Sequence, residues 1–113
     1  MWRDDAYLLD MLLAARKVMK YVQGVDFERF DQDEVVQDAV MRRIQIIGEA
    51  ARKISPEFKE AHPEISWSEI IGMRHKLIHE YFRIISEKVW ETVANDIPNL
   101  IVRIEPLVPP DRP

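Results

Sequence analysis

Residues 35–54 read VVQDAVMRRIQIIGEAARKI, and this stretch decides the fold class. Its apolar residues recur at three- and four-residue spacing, which is typical of the buried face of an amphipathic helix. The residues of this stripe are Val36, Val40, Ile44, Ile47, Ala51 and Ile54. Val35, Ala39, Ile46 and Ala50 widen it, so we expect this helix to contact neighbours on more than one side. Gly48 lowers helix propensity, and its expected role is to allow close approach of another helix.

A similar stripe precedes this helix and predicts a first helix over about residues 4–23. Its members are Leu8, Met11, Leu12, Ala15, Met19 and Val22, and Gly24 follows where a left-handed cap would lie. Asp31 with Glu34 predicts a capping-box-like start of the second helix. Ser55-Pro56 ends it, because a residue before proline avoids α geometry. Residues 56–63 are predicted to form a short helical turn within a linker.

Two more helices are expected in the second half of the chain. The third should run from about Trp67 to Tyr81, with a capping box at Ser66–Glu69. Ser86 is expected to cap the fourth, and Pro98 predicts a kink or break inside it. The apolar stripe of the fourth helix comprises Trp90, Val93, Ala94, Ile97, Ile101 and Ile104. Trp67 and Trp90 are interpreted as core or interface anchors.

The pattern therefore predicts an all-α fold, an antiparallel helical bundle of four main helices. We assign residues 1–107 to this single domain and residues 108–113, which read VPPDRP, to an extended or disordered tail. The chain lacks cysteine, so disulfides and thiolate metal sites are not expected. No apolar run approaches the roughly 20 residues that span a bilayer, and the N-terminus shows no signal sequence. A cytoplasmic protein without a membrane partner is the expectation.

The charge balance limits the possible nucleic-acid partners. The net charge is −4, from 16 Lys and Arg against 20 Asp and Glu, which counts against broad binding of nucleic acids. A small local basic site remains possible, and cations do cluster at Arg42-Arg43, Arg52-Lys53 and Arg74-His75-Lys76. The first two clusters are interpreted as a solvated helix face.

The third cluster opens the sequence RHKLIHEY, residues 74–81, which combines a permanent cation, two imidazoles and a phenol. On a continuous helix, Arg74, His75, Ile78, His79, Tyr81 and Phe82 would share one arc of roughly 160°. Such a mixture of polar and large apolar groups suits a partly buried cleft or a symmetric dimer seam. Simpler interpretations stay open: an ion-paired arginine, two ordinary helix histidines, a packing tyrosine, or a zinc pair that lacks an evident third ligand.

Five segments of the chain resemble HEPN-domain toxins of the HepT type. These are RRIQIIGEA at 42–50, PEISW at 63–67, IIGMR at 70–74, HEYF at 79–82 and VWETV at 89–93. The resemblance covers nearly the whole chain and implies a metal-independent ribonuclease site, formed by Arg74 and His79 at a homodimer interface. It also implies that a minimal nucleotidyltransferase antitoxin, MntA, attaches AMP to Tyr81 and silences the toxin. His75 stands where that family usually has Asn or Asp, and His75 and Glu49 are possible accessory residues.

The resulting hypothesis is an endoribonuclease toxin that needs no metal or cofactor and acts on RNA rather than DNA. His79 would serve as base or acid, and Arg74 would hold the charge on the phosphate. Attack by the 2′-hydroxyl would leave a 2′,3′-cyclic phosphate. The alternatives are a non-catalytic helical dimer that docks a nucleotidyltransferase or binds nucleotide, and a purely structural bundle.

Overall fold

The computed structural model describes residues 2–78 and 83–110. The described residues are helical apart from the connections, with one isolated β-bridge between Ile78 and Ile84. The helices are α1 (Trp2–Tyr21), α2 (Phe27–Gln32), α3 (Glu34–Lys53), α4 (Pro56–Ala61), α5 (Trp67–Ile71), α6 (Met73–Lys76), α7 (Ser86–Glu91) and α8 (Ile97–Ile104). A π-helical turn, Thr92–Asp96, joins α7 to α8, and a 3₁₀ turn, Glu105–Leu107, follows α8. The predicted all-α bundle is confirmed.

The centre of the bundle is the pair of long helices α1 and α3, which pack along each other in opposite directions. Asp4 near the start of α1 accepts hydrogen bonds from Ser55 just past the end of α3. At the other end of α1, the Tyr21 hydroxyl accepts from Nε of Arg43 at 3.2 Å. Both predicted stripes lie largely in the core between these ends: Leu8, Met11, Leu12 and Ala15 of α1, and Val40, Ile44, Ile47 and Ala51 of α3.

The Asp4–Ser55 contact joins the start of α1 to the end of α3. It is buried, since Asp4 is 3% exposed. Ser55 donates its backbone N–H at 2.8 Å and its hydroxyl at 2.6 Å to the two carboxylate oxygens. Burial by itself raises the pKa of Asp4. The two hydrogen bonds from Ser55 favour the charged form, and together with nearby positive charges they bring the pKa below its ordinary value of 3.8.

The fourth main helix is distorted where Pro98 predicts it. The backbone N–H of Ile97 donates to the carbonyl of Thr92, five residues earlier, which makes a wide turn directly before the proline. A proline cannot donate to the preceding turn, and its ring crowds the carbonyl four residues back. The π turn removes this conflict while Val93, Ile97, Leu100 and Ile104 remain buried. The helical path therefore continues past Pro98 without leaving the core.

The third main helix departs from its prediction. It breaks at Gly72, which has φ −88° and ψ 1°, and it ends at Lys76 instead of reaching Tyr81. After Lys76 the chain pairs with a later segment: Ile78 bridges Ile84, and the Ile85 N–H donates to the Leu77 carbonyl at 2.9 Å. At Leu77 and Ile78, backbone pairing with a short apolar segment has replaced the predicted helix.

Gly48 fulfils its predicted role beside this break. A Cβ atom on Gly48 would lie 3.3 Å from the carbonyl oxygen of Ile71 and 3.5 Å from that of Ile70. Helix α3 therefore approaches the end of α5 more closely than a larger residue would allow. Gly24 likewise has the left-handed conformation expected after α1, with φ 74°.

Several predicted boundaries and caps were wrong in detail. The cap of α3 is Asp33, whose carboxylate accepts from Val36 N–H at 3.1 Å, whereas Asp31 accepts from the Ser86 hydroxyl. Ser86 is thus engaged away from its own helix, and Ser66 makes no capping hydrogen bond with its side chain. The helix α2, between Gly24 and α3, was not among the predicted helices. Val35 is 79% exposed because it lies at the edge of the stripe in the first turn of α3.

The aromatic anchors and the short helix after α3 agree better with expectation. Trp67 is buried and donates its indole N–H to the His62 carbonyl at 3.0 Å. Trp90 packs on Phe30, with ring centroids 5.2 Å apart. Residues 56–63 contain the expected short helix, α4. Val108 has extended backbone and packs partly against the core.

Candidate functional site

Arg74 is presented to solvent by the short helix α6. Its neighbours in the fold, Met73 and Leu77, are 8% and 3% exposed and anchor the two ends of this turn in the core. Arg74 lies between them and is exposed. The turn therefore cannot rotate without removing two apolar side chains from the core, which fixes the side of α6 from which the Arg74 side chain extends.

Arg74 borders a shallow groove whose other wall is helix α3. The α3 residues that line the groove are Asp38, Met41, Arg42 and Gln45, which recur at three- and four-residue spacing and so share one helix face. Arg42 is exposed, as is Arg74. Within residues 2–78 and 83–110, neither arginine has a hydrogen-bond or ion-pair partner. Arg42 and Arg74 thus line the same groove, and guanidinium groups are suited to binding a phosphate.

The remaining lining of the groove comes from the bridge pair, Ile78 and Ile84. These two residues flank the sequence HEYFR in the chain. The predicted catalytic residue His79 and the predicted modification site Tyr81 lie outside the described residues, as do Glu80 and Phe82. The predicted helical arc does not extend to Ile78, because the helix carrying Arg74 ends at Lys76.

The two possible accessory residues lie near the groove but do not line it. His75 is exposed on α6, next to Arg74 in the chain. Glu49 is exposed on α3 and accepts a hydrogen bond from Nε2 of Gln45 at 3.1 Å. Glu49 could therefore influence the groove through the orientation of Gln45. The roles of both residues stay predictions.

Arg42 is a groove-lining residue that sequence reasoning did not single out. Together with Arg43 it was read as part of a solvated helix face, and it is indeed exposed. A usable signal was the spacing of Asp38, Arg42 and Gln45, which are polar residues beside the apolar stripe. What could not be foreseen is that α6 packs against this face of α3 and places Arg74 at the same groove.

The chain matches the family model described as "Ribonuclease HepT-like" over residues 11–107. The match includes α3, α6 and both residues of the bridge. The chain belongs to the HepT-like ribonuclease family. Arg74 and Arg42 consequently lie within the part of the chain that this HepT-like family shares.

Relatives of similar length support the same assignment. A protein of Thermococcus cleftensis named "Probable ribonuclease HepT" is 43% identical over 101 residues, which cover 89% of this chain and 92% of the relative. A candidate RNase of Caldanaerobacter subterraneus subsp. tengcongensis is 39% identical over 102 residues, covering 90% and 91%. Another, of Methanocaldococcus jannaschii, is 36% identical over 100 residues, covering 88% and 92%. No solved structure matches this HepT-like chain.

Among residues 2–78 and 83–110, no three His, Asp or Glu side chains cluster in a way that could hold a metal ion. The same residues form no helix with the length and apolar character that a membrane crossing requires.

Proposed function

We propose that this HepT-like protein is a metal-independent endoribonuclease that acts as the toxin of a toxin–antitoxin pair. The observation that carries the proposal is the groove shared by Arg74 and Arg42. It is bordered by Ile78 and Ile84, the residues between which the HEYFR sequence occurs. Membership of a ribonuclease family gives the groove its substrate class, RNA.

The reaction requires a base, an acid and a group that stabilises negative charge on the phosphate. The 2′-oxygen of the substrate attacks the adjacent phosphorus, its proton passes to a base, and the bond from phosphorus to the 5′-oxygen breaks as that oxygen is protonated. The products are a 2′,3′-cyclic phosphate and a 5′-hydroxyl. An imidazole can give or take a proton near neutral pH, so His79 is assigned as base or acid.

The two arginines would supply the charge stabilisation. Negative charge grows on the non-bridging oxygens as the 2′-oxygen attacks, and a preorganised guanidinium binds such oxygens with two parallel hydrogen bonds. Arg74 is assigned this role, and Arg42 would hold the same or the adjacent phosphate from the α3 wall. A homodimer with the site at its interface, as the resemblance implies, would add a second copy of each group.

Control by an antitoxin forms the second part of the proposal. AMP attached to the Tyr81 hydroxyl by a MntA-like nucleotidyltransferase would add a negative phosphate and a bulky nucleoside to the chain between Ile78 and Ile84, two residues that line the groove. A negative group there competes with the substrate phosphate for the two arginines. Support for this part rests on the resemblance and on the position of Tyr81 between Ile78 and Ile84 in the sequence.

Expression in a bacterial host, followed by assays of the purified proteins, tests the proposal. Arg74→Ala and His79→Ala should abolish toxicity and lower the cleavage rate by about 10² to 10³, the usual loss when one charge-stabilising or proton-transferring group is removed. Arg42→Ala should lower the rate by roughly tenfold, because it removes a single charged hydrogen-bond contact. Lys76→Ala, an exposed cation of α6 outside this groove, is the matched control and should cleave as the wild type does.

Three further measurements separate the mechanism from its alternatives. The rate should be unaffected by EDTA, and a fully 2′-deoxy substrate should not be cut. Tyr81→Phe should remain toxic in the presence of an active nucleotidyltransferase. Equal growth of cells that express the wild type, Arg74→Ala and His79→Ala would instead favour the non-catalytic module that docks a nucleotidyltransferase.

A further inference from the structure

A second, basic groove lies between α1 and α3, on the side of α3 adjacent to the Arg74 groove. Its lining includes the cations Arg16, Lys17, Lys20 and Arg43 and one anion, Asp10. Its apolar lining consists of Leu13, Ala14 and Ile46. This concentration of positive charge contrasts with the net charge of −4 of the whole chain.

The cations of this groove differ in whether another group of the protein already compensates their charge. Arg16 forms an ion pair with Glu105, so its charge is largely compensated. Lys17 and Lys20 are exposed and have no ion-pair partner in the described part of the chain. Arg43 is held in place by Tyr21, since its Nε donates to the Tyr21 hydroxyl at 3.2 Å and its guanidinium carbon lies 6.0 Å from the ring centroid. Among the described residues, none accepts from the other guanidinium nitrogens of Arg43, so their donors can serve a ligand.

Helix α3 connects this basic groove to the Arg74 groove. Arg42 and Gln45 line the Arg74 groove, and the residues that follow them in the chain, Arg43 and Ile46, line the basic groove. Consecutive helix residues differ in direction by about 100°, so the two arginines point to neighbouring faces at the same level of the helix. A chain of phosphates could pass from Arg74 over Arg42 to Arg43 and on to Lys17 and Lys20.

We propose that the α1–α3 groove binds the phosphate backbone of a single-stranded RNA whose scissile phosphate lies at Arg74. The proposal rests on the proposed ribonuclease function and adds the substrate class, a single strand longer than the cleaved dinucleotide. The exposed part of Leu13 provides an apolar surface for a base, and the uncompensated cations match the backbone charge. A second copy of this chain fits less well, because a two-fold contact through this groove would bring like charges together.

The experiment measures binding separately from cleavage. The probe is a fluorescein-labelled single strand of roughly 20 nucleotides in which every 2′-oxygen is methylated, so that it cannot attack the phosphate. For Lys17→Ala/Lys20→Ala, fluorescence anisotropy should show an affinity lower by on the order of tenfold. The slope of the logarithm of the binding constant against the logarithm of the salt concentration should be smaller in magnitude by roughly 1.4. The matched control is Arg52→Ala/Lys88→Ala, which removes two exposed cations elsewhere and should bind as the wild type does.

Tyr21→Phe gives a finer test, because it leaves every cation in place and removes only the hydroxyl that orients Arg43. We expect a loss of affinity of roughly twofold to fivefold, with an unchanged salt slope. If Lys17→Ala/Lys20→Ala binds the probe as tightly as the control variant, the proposal is overturned. Loss of an acidic protein partner by that same variant would then assign the groove to protein binding. RNA binding that depends on Lys17 and Lys20, without any cleavage of unmodified RNA, would instead refute the nuclease while leaving the groove intact.

Discussion

The α1–α3 pair and the α5–α6 segment show two ways in which this chain builds its fold. The two long helices bury one continuous apolar stripe each, and their geometry follows from repeated spacing along 20 residues in each helix. The α5–α6 segment consists of helices of five and four residues, separated by Gly72 and followed by a backbone pairing. The long pair carries much of the core, and the broken segment carries Arg74.

The difference has a physical reason. A long amphipathic helix gains burial from every turn, so a local change in one turn leaves the rest in place. A helix of four or five residues has little stability of its own, and its geometry depends on the neighbours that hold it. In this molecule those neighbours are the close approach at Gly48 and the pairing of Leu77 and Ile78 with Ile84 and Ile85. The candidate site therefore depends on tertiary contacts more than the core does.

The largest loss of stability should follow from a substitution in the core between α1 and α3. Ile44 is fully buried in α3, and Ile44→Ala should lower the free energy of unfolding by about 2–5 kcal/mol, through lost burial and the cavity left behind. Urea denaturation followed by circular dichroism measures this loss. Val35→Ala, at a 79% exposed position of the same helix, is the control and should change stability by less than about 0.5 kcal/mol. Similar losses in the two variants would contradict a core built on the predicted stripe.

An intermediate effect is expected where the two regions touch. Gly48→Ala places a Cβ 3.3 Å from the Ile71 carbonyl oxygen, so α5 must shift by a few tenths of an ångström. Overpacking of this kind costs about 1–3 kcal/mol, and the higher helix propensity of alanine offsets up to about 1 kcal/mol. We expect a net loss of about 1–2 kcal/mol in urea denaturation.

Gly72→Ala is the matched control for this prediction. Its added Cβ would lie 3.4 Å from the Ser68 carbonyl oxygen, an ordinary contact, and its φ of −88° suits any residue. Its stability should therefore stay within about 0.5 kcal/mol of the wild type. If Gly48→Ala is as stable as Gly72→Ala, then close helix approach is not what holds the broken segment.

The smallest loss of stability, which depends on pH, is expected where Asp4 joins the start of α1 to the end of α3. The pKa of Asp4 in the folded state lies below its ordinary value of 3.8, so the ionised carboxylate stabilises the fold above that pH. This contribution is lost as the pH falls from about 4 through the lower pKa of the folded state. Asp4→Asn should be less stable by about 1 kcal/mol near neutral pH, and its stability should depend less on pH below 4. Thermal melting between about pH 2 and 7 measures both; parallel curves for the two proteins would refute this assignment.

Much of the core could be predicted because apolar periodicity reports burial directly. The stripes of α1 and α3, the role of Gly48, the distortion at Pro98 and the anchoring tryptophans all depend on residues whose preferences act within one or two helical turns. The capping predictions fared worse, since Asp31 and Ser86 hydrogen-bond each other across the fold. A capping signal in the sequence identifies a side chain that can cap a helix. Competing hydrogen-bond partners in the folded protein decide whether it does.

The sequence by itself determined an all-α bundle, the stripes that form its core and the HepT-type resemblance, because helical period and motif spacing are properties of the chain alone. Only the tertiary structure decided that the third helix stops at Lys76 and that Arg42 shares a groove with Arg74. The first outcome depends on Leu77-Ile78 pairing with Ile84-Ile85, a few residues further along the chain, and the second on α6 packing against α3, which is distant in sequence. Local spacing contains no information about such contacts, since their free energy is gained only when the chain has folded.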